Sequence, residues 1–361
     1  MAFSGGGFRA TLAALGVIRF MASAGLLGRV RYVSSVSGGS VAHGLLACSY
    51  SELETAAFTQ EAVDRILISP FVAEISRRSL SSELIRNVWR VIGTPTRTDL
   101  LADEFDEWFF RGALLEELPT GCRFIFNAAS VTSGVRFGFE RDVMGDWVVG
   151  RASTAGSGIR VAQAVAASAA VPGVFAPFEV KGISFPCSRG VAPKLLDGGA
   201  YDNMGLEPLD DLADVCLVAV NAGGVFRTGG YGGVPIVRDL QRANGLLYRQ
   251  STALRMRSMV ERFKAWEEAK ATGQEPPPWA RLGVLFGLAT TLEPTEEWAE
   301  GRPEYAESRV ELARVPTVFS KLDPALCIRL IYRTWWLTGA VLSRYQRSLL
   351  PESLPRWTDL P

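Results

Sequence analysis

The sequence lacks the features that mark several common functional classes. Lysine plus arginine and aspartate plus glutamate both number 38, so no basic excess exists to neutralise the phosphates of a nucleic acid. The five cysteines are scattered without a CxxC spacing, which indicates neither a zinc site nor a disulfide framework and fits a reducing cytoplasm. No apolar run reaches the roughly 18 uncharged residues of a membrane-spanning helix, and Arg9 and several glycines interrupt the region of a signal peptide. We therefore expect a cytoplasmic protein that does not bind nucleic acid.

The residues that are present alternate between two kinds of pattern. Hydrophobic residues make up 48% of the chain, which is enough for a large core. Short apolar runs rich in valine and aromatic residues predict strands at 1–3, 29–36, 122–131, 135–142 and 214–224, and a hairpin at 178–185. Apolar residues at helical spacing predict helices at 9–24, 40–47, over most of 52–117 and at 158–171. Strands separated by helices are typical of an α/β fold with a buried parallel sheet.

Two glycine clusters lie near the start of the chain, and the first is "SGGGFRA", residues 4 to 10. A dinucleotide-binding loop would need an acidic residue about twenty positions later, but no Asp or Glu occurs before Glu52. A P-loop is excluded because the chain contains no GK[ST] sequence. What remains is a run of backbone N–H groups at the start of a helix, which attracts an anion such as the oxyanion of an acyl-transfer reaction.

The second cluster, "VSGGS", has the form of a nucleophile elbow, a sharp strand-to-helix turn with small residues two before and two after the serine. Centred on Ser37, these neighbours are Ser35 and Gly39, so serine stands in place of the usual first glycine. Ser40 competes but lies inside the predicted helix, and Ser157 has no predicted strand before it. An ordinary tight turn is the alternative interpretation, but the strand before Ser37 and the helix after it favour a nucleophile.

A serine nucleophile needs a base, and the sequence contains one histidine, His43. It follows Ser37 by six residues on the same predicted helix, about 240° around the axis, so it should face away as a packed or surface side chain. A carboxylate is the other possible base. Asp197 in "LLDGGAYDN" follows an apolar pair and precedes two glycines, which places it in a tight turn at a strand end. A plain turn residue is the competing interpretation.

Together these motifs resemble the patatin-like phospholipase family, which includes relatives of the group IV cytosolic phospholipases. The resemblance rests on five stretches in the family's order: "SGGGFRA", "VSGGS", "NAASVTSGVRFGF", "AASAAVPGVFAPF" and "DGGAYDN". It covers roughly residues 2 to 224, with weaker similarity to the end. It implies a three-layer α/β sandwich whose central, mostly parallel sheet is flanked by helices.

The resemblance also implies roles for individual residues. Ser37 would attack an acyl ester and Asp197 would accept its proton, with an acyl-enzyme as the intermediate. The oxyanion would be held by the N–H groups of Gly5, Gly6, Gly7 and Gly38. Arg9 matches the family's basic residue after the glycine loop; it would bind a phosphate headgroup or tighten the oxyanion loop, and a structural ion pair is equally open. No cofactor and no metal are expected, because the calcium of the cytosolic relatives belongs to a separate membrane-binding domain for which this chain has no room.

The rest of the chain carries weaker signals. We expect one domain over residues 1–361, with core motifs at 2–224, a basic helical and proline-rich region at 240–300 and a C-terminal helix at 324–347. Residues 242–264 contain six basic residues and one acid, Glu261, so this segment is either a basic surface that contacts membranes or an ordinary amphipathic helix. Trp335 and Trp336 belong either to a core helix or to an interfacial anchor.

The first predicted strand has only three residues, whereas strands of about five or six are typical. This shortness leads us to expect either that the natural protein begins upstream of Met1 or that this chain is less stable than an extended form.

Hydrolysis of phospholipid or lysophospholipid acyl esters is the leading functional prediction. A soluble esterase or thioesterase is the alternative within enzymes. A catalytically silent lipid-binding or regulatory protein is the alternative from another class, and Ser35 in the elbow keeps it open. Peripheral contact with a membrane accompanies the leading prediction.

Overall fold

A computed structural model describes residues 1–86, 96–212, 215–224, 235–304 and 308–360. Within these residues, ten strands form one sheet. The strands are β1 (Ala2–Phe3), β2 (Tyr32–Val36), β3 (Arg123–Ser130), β4 (Arg136–Phe139), β5 (Val143–Asp146), β6 (Gly150–Ser153), β7 (Phe178–Glu179), β8 (Lys194–Asp197), β9 (Cys216–Asn221) and β10 (Leu282–Gly287).

The α-helices of the described residues follow the predicted helical regions and add several short ones. They are α1 (Gly7–Ser23), α2 (Gly38–Cys48), α3 (Tyr50–Thr55), α4 (Gln60–Val63), α5 (Ser69–Arg77), α6 (Leu80–Arg86), α7 (Arg97–Phe105), α8 (Val161–Ser168), α9 (Gly199–Asp202), α10 (Pro235–Ala271), α11 (Glu296–Ala299), α12 (Ser308–Arg314) and α13 (Pro324–Tyr345). No helix in these ranges is both long enough and apolar enough to cross a membrane.

Five parallel strands form the centre of the sheet, in the order β10, β9, β1, β2, β3. Strands β4, β5 and β6 extend the sheet beyond β3 in antiparallel fashion, and β8 pairs antiparallel with the end of β3 and with β7. The two-residue strand β1 lies between β2 and β9, with Phe3 opposite Ser35 on one side and Val220 on the other. The loops that follow β1 and β2 therefore leave the same edge of the sheet, as the ends of parallel neighbours must.

Alternating side chains give the sheet two covered faces. Phe124 and Phe126 of β3 join the large core that includes α1, α2 and α13, whereas Ile125 joins a smaller core with Met259 and Phe263 of α10. The order is thus a helical layer, the sheet and a second helical layer. The predicted α/β sandwich with a mostly parallel central sheet flanked by helices is confirmed.

The long C-terminal helix α13 packs against α1 and matches the predicted helix at 324–347 closely. It begins with Pro324 after Asp323, whose carboxylate accepts the N–H groups of Ala325 and Leu326. Trp335 and Trp336 are almost completely buried, so the core interpretation of this helix is correct and the interfacial one is wrong.

Two secondary-structure predictions need correction. The predicted hairpin at 178–185 is a single short strand, β7, whose partner is β8 rather than an adjacent segment. The predicted helix at 158–171 begins at Val161 and ends at Ser168. Pro172 has no N–H to donate to the Ser168 carbonyl, which accepts the N–H of Gly198 instead. Strands β5, β6 and β10 were not predicted. Asp214, the first residue of the predicted strand at 214–224, lies outside the described residues.

Candidate active site

Ser37 occupies the sharp turn between β2 and α2. Its backbone has φ 51° and ψ −123°, a left-handed conformation that costs free energy for any residue with a side chain. The strand before it and the helix after it have the arrangement that the sequence predicted for an elbow. The residue is 5% exposed and lines a cavity, so the nucleophile candidate is almost buried.

The two glycine clusters touch each other, which explains why both are needed. A Cβ atom on Gly38 would overlap the carbonyl oxygen of Gly7 and lie 2.6 Å from the nitrogen of Gly7. A Cβ atom on Gly39 would lie 2.6 Å from the carbonyl oxygen of Ser4. Both distances are far below van der Waals contact, so only glycine lets the loop after β1 approach the elbow after β2 so closely.

The N–H groups predicted for the oxyanion hole are not equivalent. The N–H of Gly5 donates to the carbonyl oxygen of Asn203 at 3.0 Å, so this predicted donor is already occupied. The N–H groups of Gly6, Gly7 and Gly38 have no protein partner within the described part of the chain. Gly6 and Gly7 line the same cavity as Ser37. The available donors are therefore these three groups, without Gly5.

Asp197 reaches the elbow from the end of β8. Because β8 pairs with β3, Asp197 lies opposite Ala128, beside the end of β2. Its carboxylate accepts the N–H of Gly199 at 2.7 Å and interacts with the Ser37 hydroxyl. Burial raises the pKa of Asp197 to about 6, against the smaller lowering effects of the Gly199 N–H and the Ser37 hydroxyl. At neutral pH the carboxylate is mostly ionised and can accept a proton.

His43 lies on the opposite side of the elbow, in the core. Its ring stacks on Phe126 with centroids 4.0 Å apart, and Nδ1 lies 2.6 Å from the hydroxyl oxygen of Ser35. Burial holds the pKa of His43 well below its usual range, so the ring is neutral at pH 7. The structure thus separates His43 from Ser37, in agreement with its position around the helix.

Among the described residues, Arg9 does not line the cavity that contains Ser37. Its guanidinium is 1% exposed and donates to the carbonyl oxygens of Ala222, Ala313 and Val315 at 2.6 to 3.2 Å. Neither the predicted headgroup contact nor an ion pair describes these bonds. Because Ala222 packs directly against Gly6, Arg9 secures the region behind the glycine loop. That Arg9 tightens this loop stays a prediction.

The competing serines are placed differently from Ser37. Ser40 is fully buried, and its hydroxyl bonds to those of Ser35 and Ser168. Strand β6 does precede Ser157, contrary to expectation, but it ends at Ser153 and no helix follows the serine directly. Neither Ser40 nor Ser157 lines the cavity that contains Ser37 and Asp197.

The cavity above Ser37 has a volume of about 710 Å³ and mostly apolar walls. Its apolar side chains come from several separate segments: Leu84, Leu100, Val171, Pro172, Val174, Phe175, Val318 and Phe319. Arg97 supplies a positive charge in the lining. No group of three His, Cys, Asp or Glu residues within the described ranges could hold a metal ion.

Two lining residues were missed by the sequence analysis. Tyr248 on α10 lies close to Gly199 and Gly223, and burial, followed by the charge of Asp197, raises its pKa. Asn203 follows α9 and accepts the N–H of Gly5. Asn203 belongs to the "DGGAYDN" motif and could have been found there, whereas no local signal marks Tyr248.

Comparison with known proteins identifies one family. The model of the family described as "Patatin-like phospholipase" matches residues 1–210, which is more than half of the 361-residue chain. This range contains the glycine loop, Ser37 and Asp197. A search of curated proteins found no match. The chain belongs to the patatin-like phospholipase family, whose membership implies a lipid acyl hydrolase.

Proposed function

We propose that this protein hydrolyses acyl esters of phospholipids or lysophospholipids with a Ser37–Asp197 dyad. The observation that carries the proposal is the placement of Ser37 and a buried, ionised carboxylate at the floor of one apolar cavity. An acyl chain fits such walls, because burial of each methylene contributes about 0.8 kcal/mol. The oxygen-rich ester group would then lie at the polar floor.

The first half of the reaction forms an acyl-enzyme. The Ser37 Oγ attacks the ester carbonyl carbon while its proton moves to the carboxylate of Asp197. The N–H groups of Gly6, Gly7 and Gly38 stabilise the negative charge on the carbonyl oxygen. As the tetrahedral intermediate collapses, the C–O bond to the alcohol breaks, and the alcohol leaves with the proton held by Asp197.

The second half releases the fatty acid. Asp197 takes a proton from water, and the hydroxide attacks the acyl carbon of the Ser37 ester. The proton then returns to the Ser37 oxygen as the carboxylic acid leaves. Both halves use the same oxyanion donors, and neither needs a cofactor.

Arg97 supports a phosphate-bearing substrate over a neutral ester. Its side chain is solvent-exposed at the cavity, where a headgroup would meet solvent once the acyl chain occupies the apolar interior. An arginine binds phosphate oxygens with two parallel hydrogen bonds. We also propose a cytoplasmic protein that acts at the membrane surface in peripheral contact.

A substrate panel tests this proposal. Wild type and Ser37→Ala would be compared on phospholipid vesicles, a lysophospholipid, a long-chain thioester and a short soluble ester. We expect wild type to release fatty acid from the first two faster than from the others, and Ser37→Ala to release none. Preference for the short ester or the thioester would favour the alternative enzymes. Vesicle binding without hydrolysis of any substrate would favour a silent lipid-binding protein, and either result would contradict the proposal.

A further inference from the structure

Ser35 stands where the elbow pattern has glycine, and its hydroxyl is fully buried beneath the nucleophile. The Oγ atom lies 2.6 Å from Nδ1 of His43 and 2.9 Å from the Oγ of Ser40. A serine at this position therefore fills a polar role that glycine could not fill. Through its hydroxyl, Ser35 links the elbow to His43, the only histidine of the chain.

The connection continues from Ser40 to the backbone of the nucleophile. The Oγ of Ser40 lies 3.0 Å from the Oγ of Ser168, at the end of α8. Ser168 donates to the carbonyl oxygen of Asn127 at 2.6 Å and accepts the N–H of Ser37 at 2.9 Å. Three buried hydroxyls thus join His43 to the N–H of Ser37.

The number of protons available fixes the direction of each hydrogen bond between His43 and the N–H of Ser37. Each hydroxyl has a single proton to donate. Ser168 must give its proton to Asn127, because a carbonyl oxygen can only accept. Ser40 must then donate to Ser168, and Ser35 must donate to Ser40. No proton remains on Ser35 for His43, so Nδ1 of His43 must carry the proton and donate it to Ser35.

The Nε2 atom of His43 agrees with this assignment. It is buried and has no hydrogen-bond partner within the described residues. A buried N–H without a partner costs more free energy than an unused lone pair on nitrogen. Accordingly, unpaired buried donors are rarer in proteins than under-used acceptors. The tautomer with hydrogen on Nδ1 leaves only the lone pair unused.

We infer that His43, Ser35, Ser40 and Ser168 form a one-way hydrogen-bond chain that fixes the strained backbone of Ser37, which makes Ser35 and Ser168 positioning residues of the reaction. The inference rests on the proposed function, since it presumes that Ser37 is the nucleophile. Ser37 has a left-handed backbone that would relax if its N–H were released. Ser168 prevents that release directly, and Ser35 and His43 act through it.

Kinetics of two hydroxyl-deleting variants test the positioning role. Ser168→Ala should lower kcat by up to about 100-fold, the loss typical of a misplacement of about 1 Å at a reacting group, with KM little changed. Ser35→Ala should lower kcat by a smaller factor, and Ser35→Gly should not restore it although it recreates the glycine pattern. Ser343→Ala, which removes a buried hydroxyl from α13 away from the cavity, is the matched control and should keep wild-type kcat. Unchanged kcat in folded Ser168→Ala, or a change in KM alone, would overturn the inference.

The wild-type protein offers a second test that needs no variant. Because His43 is the only histidine, its ring nitrogens give an unambiguous set of signals in a long-range ¹H–¹⁵N spectrum of ¹⁵N-labelled protein. We expect a neutral ring with hydrogen on Nδ1 at neutral pH. Hydrogen on Nε2 would reverse every bond of the chain and leave the Asn127 carbonyl without its donor, which would overturn the inference.

The two failures are distinguishable. If Ser37→Ala keeps full activity, the proposed nucleophile is wrong. If Ser37→Ala is inactive while folded Ser168→Ala and Ser35→Ala both keep wild-type kcat, the nucleophile stands and only the positioning chain is wrong.

Discussion

The floor of the cavity, where Ser37 and Asp197 lie, depends on close contacts between backbone segments, whereas the walls are formed by apolar side chains. At the floor, a Cβ atom on Gly38 would overlap the backbone of Gly7, and a Cβ atom on Gly7 would overlap the backbone of Val318. At the walls, Val171, Val174 and Val318 are 40%, 53% and 44% exposed and have room to change. The difference predicts that substitutions at the floor affect the chemical step, while substitutions at the walls affect which substrate binds.

The largest effect is expected at Asp197. Asp197→Asn keeps the size and the acceptor for the Gly199 N–H but cannot take the Ser37 proton, so kcat should fall by at least about 10⁴-fold.

The same variant, Asp197→Asn, should be more stable than wild type. The pKa of Asp197 rises from 3.8 to about 6 on folding, so the folded state binds the proton more tightly, and stability is lost as pH rises through that window. Removing the charge should regain on the order of 2 kcal/mol at pH 7.5. Kinetics and thermal unfolding check both effects.

The pH profile separates Asp197 from His43. We expect kcat/KM to fall below a pH of about 6, where the Asp197 carboxylate becomes protonated. A histidine with an ordinary pKa would give a similar fall in kcat/KM near this pH, so His43→Phe is the control. In this variant the fall should occur at the same pH as in wild type. If kcat/KM no longer fell at low pH in His43→Phe, or if Asp197→Asn were active, the proposed Ser37–Asp197 dyad would be wrong.

A smaller effect is expected where the two glycine clusters meet. Gly38→Ala would force the elbow and the glycine loop apart, so activity should fall about 100-fold and stability by about 1–3 kcal/mol. Gly224→Ala is the matched control. It adds a methyl group to the same cavity, but its Cβ would lie at an ordinary 3.5 Å from Thr317, so it should change activity little. Equal losses in both variants would show that close backbone contact is not the requirement.

At the walls we expect a change in binding alone. Val174→Ala removes two methyl groups from the lining, which should raise KM for a long-chain substrate by about three- to tenfold. The kcat for a short soluble ester should not change. Val131→Ala, an equally exposed valine outside the cavity, should leave both unchanged. A fall in kcat for both substrates would mean that walls and floor are not separable.

The smallest effect concerns membrane attraction by α10. Several of its bases already have carboxylate partners: Arg255 pairs with Glu207, Arg262 with Asp210, and Lys264 with Glu261. The net charge of the helix is therefore partly neutralised by its neighbours, which favours a structural helix. We still expect salt-sensitive binding to anionic vesicles, and Arg257→Gln at an exposed position should weaken it about fivefold at low salt. Equal binding to anionic and neutral vesicles would contradict this prediction.

The floor could be predicted from the sequence, and the walls could not. The elbow and the glycine loop are local patterns, because a left-handed serine and a close backbone approach impose particular residues at fixed spacing. The walls come from segments more than 200 residues apart, such as Leu84 and Val318. Their side chains are ordinary apolar residues, so only the folded chain shows that they share a cavity.

The errors of the sequence analysis have the same cause. Gly5 and Arg9 lie in the predicted motif, yet distant partners decide what they do: Asn203 occupies the Gly5 N–H, and Ala222, Ala313 and Val315 occupy Arg9. These carbonyl oxygens carry no sequence signal. Strand β10 was missed because Gly283 and Gly287 lower the strand propensity of its run "LGVLFG", and pairing with β9 rather than propensity forms it.

Covalent labelling with a fluorophosphonate tests the central claim most directly. Such a probe reacts with an activated serine, and mass spectrometry of the digested protein locates the modified residue. We predict a single adduct on Ser37, with no adduct in Ser37→Ala and very slow labelling in Asp197→Asn. An adduct on Ser40 or Ser157, or undiminished labelling of a folded Ser37→Ala protein, would contradict the assignment of Ser37 as the nucleophile.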